Sequence, residues 1–305
     1  MNSNEIALSL VSEGVSLPAT LSLPASAPTR GGLVPLHPAD DPSRDQFLFR
    51  QLADILPQRG IAVLRFDRRA QPERGDVPLE LQANDALAAL RILRQQPGVG
   101  NAPLGLWGFS QGAWAAPLAA SISPEVAFLT LVASTGVSPA RQMRYGTAEQ
   151  LGRAGYGVEA QEELAQLRIT WEDYLRGQLE RASAQAVVDH AAQQPWFPLA
   201  WVPAELPAPG AWEDMDFDPL PIFAGVHCPV LLFYGEDDEW TPVDESIATW
   251  RQAVAMGNNE DLTIVRLPGA SHHPTLHGGR EIDTISPLYT AELLTWLESR
   301  LKPQR

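Results

Sequence analysis

The residues best suited to do chemistry in this chain are a serine, an acidic run and a pair of histidines. Ser110 lies in the motif Gly108-Phe109-Ser110-Gln111-Gly112, at the end of an apolar run and before a helix of small residues. This arrangement is typical of a nucleophile elbow, in which a strand turns sharply into a helix and holds a strained serine at the tip. A Cβ at either glycine would collide where strand and helix nearly touch. The N–H of Gln111 would lie at the helix N-terminus, facing the position where an oxyanion forms.

A serine hydroxyl attacks a carbonyl well only when a histidine takes its proton and a carboxylate orients that histidine. The acidic run Glu236–Glu239 follows the apolar run 230–234 after one glycine, and the pair His272-His273 follows the apolar run 262–267 after the four residues 268–271. Both therefore lie just past the carboxyl end of a predicted strand, where sites form in open α/β sheets. The residue types alone leave Asp237 and Asp238 as candidate acids and either histidine as the base.

Apolar runs alternate with helical patterns along most of the chain, which predicts a mostly parallel, doubly wound sheet. Two alternating runs, 6–11 and 15–23, flank Glu13-Gly14 and predict an antiparallel hairpin. Further strands are predicted over Gly31–Leu36, Ile61–Phe66, Leu104–Phe109, Val126–Val132, Pro229–Tyr234 and Leu262–Leu267. Helices are predicted over about 44–58, 79–95, 243–256 and 288–301, and from the elbow to about 120.

The alternation stops near Ser138 and resumes at Pro229. Between these points a helical pattern gives way to a segment rich in proline and tryptophan. We therefore predict one domain, formed by residues 1–137 and 226–305, with a helical cap over residues 138–225 inserted into it. The tryptophans of this cap would either form its own small core or cover the substrate pocket, and the sequence does not decide between the two.

Several motifs resemble those of the α/β-hydrolase superfamily, and the resemblance covers nearly the whole chain outside the insertion. The segment that begins Trp107-Gly108-Phe109-Ser110-Gln111-Gly112 is similar to the W-G-x-S-Q-G-G-W run of the serine esterase and acyl-hydrolase branch. The run Arg65–Ala70 resembles the family's R-Y-D-x-R-G run, with alanine in place of its final glycine. The order of nucleophile, acid and histidine also matches the family. The resemblance implies an α/β-hydrolase fold.

The resemblance also favours particular members of the candidate pairs. The family's G-x-x-D-x-x-x-P run matches Gly235, Asp238 and Pro242, which favours Asp238 as the acid over Asp237. Its P-G-A-x-H run matches Pro268-Gly269-Ala270-Ser271-His272, which favours His272 as the base over His273. The expected catalytic triad is therefore Ser110, His272 and Asp238.

One departure from the family concerns the oxyanion hole. Where the family has H-G after the third strand, this chain has His37-Pro38, and proline has no N–H to donate. Besides Gln111, the second oxyanion donor would then be the N–H of Ala39, or that of Asp40. In the neighbouring run, both Arg68 and Arg69 are expected to pair with nearby carboxylates.

Composition limits the classes of partner. The formal net charge of −15 argues against nucleic acids and anionic membrane surfaces as partners. No apolar run approaches the roughly 18 residues of a membrane span, and no signal peptide is visible, so no membrane association is expected. Cys228 is the only cysteine, which excludes an internal disulfide and favours a reducing, cytoplasmic location.

The resemblance implies a serine hydrolase that cleaves carboxylic esters of small or medium neutral acyl groups through an acyl-enzyme. The expected partner is a small-molecule ester. No cofactor is expected, and no metal either, because the histidines lack the spacing of metal ligands. A peptidase or thioesterase with the same triad is the alternative, followed by a non-catalytic small-molecule binding protein on the same fold. The sequence does not indicate the oligomeric state.

Overall fold

An eight-stranded sheet lies at the centre of the computed structural model, which describes residues 4–25, 29–70 and 76–301. Its strands are β1 (Asn4–Ser12), β2 (Val15–Leu23), β3 (Gly31–Leu36), β4 (Ile61–Phe66), β5 (Leu104–Phe109), β6 (Phe128–Val132), β7 (Val230–Gly235) and β8 (Leu262–Leu267). They are ordered β1-β2-β4-β3-β5-β6-β7-β8. The β1–β2 and β2–β4 pairs are antiparallel and the other pairs are parallel, which confirms the predicted mixed sheet.

Helices follow the strands in the order that the sequence pattern predicts. The described helices are α1 (Phe47–Ile55), α2 (Leu79–Arg94), α3 (Gly112–Ile122), α4 (Pro139–Arg153), α5 (Val158–Leu175), α6 (Arg181–Ala191), α7 (Pro219–Ala224), α8 (Val243–Met256) and α9 (Pro287–Arg300). The first helix is shorter than the predicted 44–58, because Pro57 cannot continue it and begins a short 3₁₀ turn instead. Within the described residues, no helix has the length and hydropathy needed to cross a membrane.

The inner strands, β3 to β7, are buried on both faces, which explains why they read as continuous apolar runs. Successive side chains point to opposite faces of a strand. On β5, Leu106 packs into the cluster formed with α2, α3 and α8, whereas Trp107 and Phe109 pack into the cluster formed with α1 and α9. The Trp107 indole N–H also donates a hydrogen bond to the Tyr289 hydroxyl on α9, 2.9 Å away, so its polar atom is satisfied inside the core.

Helices α4, α5 and α6 form a separate hydrophobic cluster, which lies within the predicted cap. The last helix of that segment, α7, packs against the main domain instead: Phe223 stacks on Trp250 of α8 with ring centroids 3.9 Å apart. The 138–225 limits of the cap remain a prediction, and the cluster of α4 to α6 is its most self-contained part.

The tryptophans of the insertion divide between two environments. Trp196 is buried in the cluster of α4 to α6, and Trp171 and Trp212 pack against that cluster with their rings 5.6 Å apart. Trp201 is 57% exposed and meets the edge of Trp240, which lies beyond the insertion in the loop after β7. Three of these tryptophans therefore belong to or pack against the cluster of α4 to α6, and one contacts the loop after β7.

Candidate active site

Ser110 occupies the tight turn between β5 and α3. Its backbone φ of +52° lies in the left-handed region, which is strained for a residue other than glycine. The close approach of strand and helix explains the glycines: a Cβ on Gly108 would strike the backbone of Gly112, and a Cβ on Gly112 would strike the carbonyl of Leu36. The turn predicted from G-x-S-x-G is therefore present, and it presents the Ser110 side chain beyond the sheet edge.

His272 lies in the loop that follows β8, and its ring reaches the serine. The His272 Nε2 atom is 3.0 Å from Ser110 Oγ, within hydrogen-bond distance. The imidazole is nearly buried, and its centroid lies 5.2 Å from that of the Phe109 ring. This geometry allows the histidine to accept the serine proton.

Asp238 lies in the loop after β7 and contacts the opposite nitrogen of the same ring. The His272 Nδ1 atom is 3.0 Å from Asp238 Oδ1 and 3.1 Å from Oδ2. The backbone N–H groups of Trp240 and Thr241 donate to Oδ1 at 2.7 and 2.8 Å, which holds the carboxylate in place. The three residues selected by resemblance thus form a continuous Ser–His–Asp arrangement.

Opposing influences act on the buried His272–Asp238 pair. Burial alone would lower the pKa of His272, but the charge and hydrogen bond of Asp238 outweigh it and raise this pKa above its ordinary value. Burial alone would raise the pKa of Asp238, but His272 and the two backbone N–H donors outweigh it and lower that pKa. The pair therefore favours an imidazolium next to a carboxylate, the charge state that follows proton transfer from serine.

Backbone hydrogen bonds keep the acid and histidine loops in register. The N–H of Glu236 donates to the carbonyl of Leu267 at 3.1 Å, and the N–H of Asp237 donates to that of Ala270 at 3.0 Å. The loops run so close at Gly235 that a Cβ there would strike the carbonyl of Ala270. Neighbouring parallel strands thus deliver both side chains to one edge of the sheet.

The competing candidates lie outside this arrangement. Asp237 is exposed, and it contacts the histidine loop through its backbone N–H. The His273 ring packs against Phe109 and Phe47, with centroids 4.8 and 5.8 Å away. Burial, together with the charges of His272 and Arg280, lowers the pKa of His273 to about 4. His273 is therefore neutral near pH 7 and lines the site.

The predicted oxyanion donors are backbone groups on two different segments. Gln111 directly precedes α3, so its N–H lies at the helix N-terminus as expected. Ala39 lies in the exposed loop after β3. In the part of the chain that the structure describes, neither of these two N–H groups has a hydrogen-bond partner. Both are thus available to a ligand, and their role as donors remains a prediction.

The two arginines that follow β4 behave differently from each other. Arg69 forms a buried ion pair with Asp85 of α2, as expected. Arg68 also pairs with a carboxylate, as expected, because its Nη1 atom lies 3.7 Å from Asp76 Oδ1. Its guanidinium makes closer contacts as well, with hydrogen bonds to the backbone carbonyls of Pro38 and Ala39 and to the side chain of Gln111. These contacts could not be predicted from the sequence, because every residue carries a backbone carbonyl and residue type does not indicate which carbonyl accepts a hydrogen bond.

A polar cavity of about 550 Å³ borders the site. Its lining carries both signs of charge, from Arg153, Arg280, Asp237 and Glu239, and it includes His273. Arg153 of α4 also donates to the carbonyl of Asp237 at 3.0 Å, which ties the cap segment to the acid loop. Ser110 is not among the residues that line this cavity.

Solved structures of hydrolases share the fold at low sequence identity. An esterase from Pyrococcus furiosus has a TM-score of 0.62 and 15% identity, with 98% of this chain and 90% of that chain covered. Est1E from Butyrivibrio proteoclasticus has a TM-score of 0.59 and 16% identity over 97% and 98% of the two chains. A dienelactone hydrolase from Anabaena variabilis has a TM-score of 0.53 and 18% identity over 97% and 96%. At such identities the likeness shows a common fold.

Two sequence comparisons add to this. A thiohydrolase, aneE, from Aspergillus aculeatus is 41% identical over 63 residues, which are 19% of this chain and 20% of the relative. This chain therefore matches only about a fifth of that relative's length. The model of the alpha/beta hydrolase family matches residues 36–283, a range that includes β4 to β8 and all three residues of the Ser–His–Asp arrangement. The chain belongs to the alpha/beta hydrolase family.

Proposed function

We propose that this protein is a serine hydrolase that cleaves carboxylic esters of small or medium neutral acyl groups. The observation that carries the proposal is the unbroken contact from Ser110 Oγ to His272 Nε2, at 3.0 Å, and from His272 Nδ1 to Asp238 Oδ1, also at 3.0 Å. The positive φ of Ser110 supports the same proposal, because residues with strained backbone angles are frequent at active sites. The solved esterases support it only through the shared fold.

In the proposed reaction Ser110 Oγ attacks the ester carbonyl while His272 Nε2 takes the serine proton. Asp238 holds the imidazole and stabilises its positive charge. The N–H groups of Gln111 and Ala39 stabilise the tetrahedral oxyanion, each donor contributing about 3 kcal/mol to transition-state binding. His272 then returns the proton to the leaving alcohol, and water activated by the same histidine releases the acid from the acyl-enzyme.

The preference for neutral substrates follows from charge. A net charge of −15 makes the approach of anionic substrates unfavourable at low ionic strength. Exposed carboxylates on Asp40 and Asp237 flank the site and act in the same direction. A cytoplasmic location remains a prediction from the single cysteine.

Thioesters are the second candidate substrate class, favoured by the similarity to the thiohydrolase from Aspergillus aculeatus. The same triad and oxyanion donors would serve both bonds, because the attack on the carbonyl is the same and only the leaving group differs. A matched series decides between them: p-nitrophenyl esters of increasing acyl length, measured beside thioesters and anilides of the same acids. We expect the highest kcat/KM for short or medium oxygen esters, and a higher value for the matching thioester would replace the ester assignment.

Labelling with a fluorophosphonate probe tests the enzyme proposal itself. Wild-type protein should be modified at Ser110, as read by mass spectrometry of the labelled peptide, and Ser110→Ala should not be labelled. Labelling depends on an activated serine and does not depend on which acyl group the natural substrate carries. Folded wild-type protein that neither reacts with the probe nor hydrolyses any ester would favour the non-catalytic binding protein.

A further inference from the structure

One guanidinium connects the two segments that carry the proposed oxyanion donors. Arg68 Nη1 donates to the carbonyl of Pro38 at 2.9 Å and to Gln111 Oε1 at 2.6 Å. Arg68 Nη2 donates to the carbonyl of Ala39 at 2.7 Å. The Arg68 side chain is only 10% exposed, so its two Nη1 bonds are partly shielded from water, whereas the Nη2 bond lies at the exposed Ala39.

Peptide geometry gives the two carbonyl contacts a particular consequence. In a planar trans peptide the C=O and the N–H point in opposite directions. The Pro38 carbonyl shares its peptide plane with the N–H of Ala39, and the Ala39 carbonyl shares its plane with the N–H of Asp40. By binding both carbonyls, Arg68 fixes the direction of the N–H groups of Ala39 and Asp40. These are the two alternatives that the sequence left open for the second oxyanion donor.

We propose that Arg68 is a positioning residue that aligns the loop donor after β3 with the Gln111 donor at the elbow. This inference rests on the proposed ester hydrolysis and adds to it the residue that sets the geometry of the oxyanion hole. Arginine suits the task because its planar fork holds several acceptors at fixed angles, which a lysine ammonium cannot do.

Contacts around Arg68 complete the connection. The Gln111 side chain accepts from Arg68 and donates through Nε2 to Asp76, so the amide group is held from both sides. The backbone N–H of Arg68 donates to the carbonyl of Pro42 at 2.9 Å, which ties the arginine to the far end of the same loop. Arg68 also stands at the variable position of the R-Y-D-x-R-G run, so the resemblance to the family assigns it no role.

The test compares Arg68→Ala and Arg68→Lys with wild type, with Arg44→Ala as the matched control. Arg44 makes its ion pair with Asp67 in the same run, and in the described part of the chain it contacts neither Pro38, Ala39 nor Gln111. The readouts are kcat and KM for a p-nitrophenyl ester and the affinity for a trifluoromethyl ketone, which forms a tetrahedral adduct with an oxyanion. Thermal unfolding checks that each variant is folded.

We expect Arg68→Ala to lower kcat about 10- to 100-fold, less than the 10²- to 10³-fold commonly seen when an oxyanion donor is deleted outright. KM should change little, affinity for the ketone should fall in parallel with kcat, and Arg68→Lys should recover only a minor part. Arg44→Ala should retain the wild-type kcat and the wild-type affinity for the ketone. Full recovery of kcat in the lysine variant would show that Arg68 acts through its charge and would overturn the positioning role. Unchanged kcat and ketone affinity in both Arg68 variants would show that Arg68 has no part in setting the donor geometry. Wild-type protein without any hydrolysis would instead refute the proposed function.

Discussion

The two sides of the candidate site are built from different kinds of group. The acid–base side consists of side chains: His272 contacts both Ser110 and Asp238, each at 3.0 Å. The proposed oxyanion side consists of backbone N–H groups on Ala39 and Gln111, and Arg68 contacts this side through the carbonyls of Pro38 and Ala39 and the side chain of Gln111. The first side is specified by residue identity, whereas the second is specified by the path of the backbone.

This difference determines how each side responds to mutation. Removing a triad side chain removes the reacting group itself, so its loss should be large and specific to that residue. A backbone donor remains when its side chain is changed, so it is lost only through proline or through a neighbour that shifts the peptide plane. We therefore expect activity losses that differ greatly between neighbouring residues among the acid–base variants. Among the oxyanion variants we expect smaller losses that differ less from one another.

The largest effect should separate the two adjacent histidines. His272→Ala should reduce kcat/KM by roughly 10⁴- to 10⁶-fold, because His272 Nε2 is the side-chain base that hydrogen-bonds to Ser110 Oγ among the residues the structure describes. His273→Ala should reduce it by less than about 10-fold, since that ring packs on Phe109 and Phe47 and stays neutral. Steady-state ester hydrolysis measures both values. Comparable losses in the two variants would contradict the assignment of His272 as the sole base.

The second effect concerns the acid. Asp238→Asn should lower kcat about 10⁴-fold, because an amide cannot stabilise the imidazolium and favours the wrong histidine tautomer. Asp237→Asn should stay within about twofold of wild type, as expected for an exposed side chain away from the ring. Thermal unfolding of each variant shows whether the protein is folded at the assay temperature. A reversed ranking would move the acid to Asp237.

The sequence predicted the acid–base side of the site better than the oxyanion side, and the reason is physical. Strands β3, β4 and β5 lie at their predicted limits, because strands buried on both faces form uninterrupted apolar runs bounded by glycine, proline or charge. The half-buried edge strand β8 also lies at its predicted limits. Since parallel strands bring their carboxyl ends to one edge, a serine, an acid and a histidine after β5, β7 and β8 were expected to meet there.

What the sequence did not reveal depends on contacts that any residue type could make. The sequence indicated that Arg68 would pair with a carboxylate, which it does with Asp76, but not that it would also hydrogen-bond to two backbone carbonyls. The packing of α7 against α8 was also not foreseen, because a six-residue segment with two prolines has too little periodicity to show which face it buries. Contacts of this kind, between residues far apart in the sequence, can be identified only once the backbone path is known.

The third effect identifies the loop donor. Ala39→Pro removes the N–H of Ala39 and should lower kcat about 10²- to 10³-fold, the usual range for one oxyanion donor. Asp40→Pro removes the next N–H and should cost far less if Ala39 is the donor. Both variants need a thermal unfolding measurement, since a new proline also restricts the loop. If Asp40→Pro shows the larger loss at equal stability, the donor is Asp40, the alternative that the sequence left open.

The smallest effect, a shift in pH dependence, separates the two sides most cleanly. Protonated His272 cannot accept the serine proton, so kcat/KM should fall as pH drops through its pKa, which Asp238 raises above the ordinary value of about 6.5. In Asp238→Asn the raising influence is gone and burial lowers the pKa, so the acid limb of the residual activity should move to lower pH. Arg68→Ala and Ala39→Pro should lower the plateau and leave the limb in place. An equal shift of the acid limb in Asp238→Asn and in the two oxyanion variants would show that the acid–base and oxyanion sides are coupled electrostatically and do not act separately.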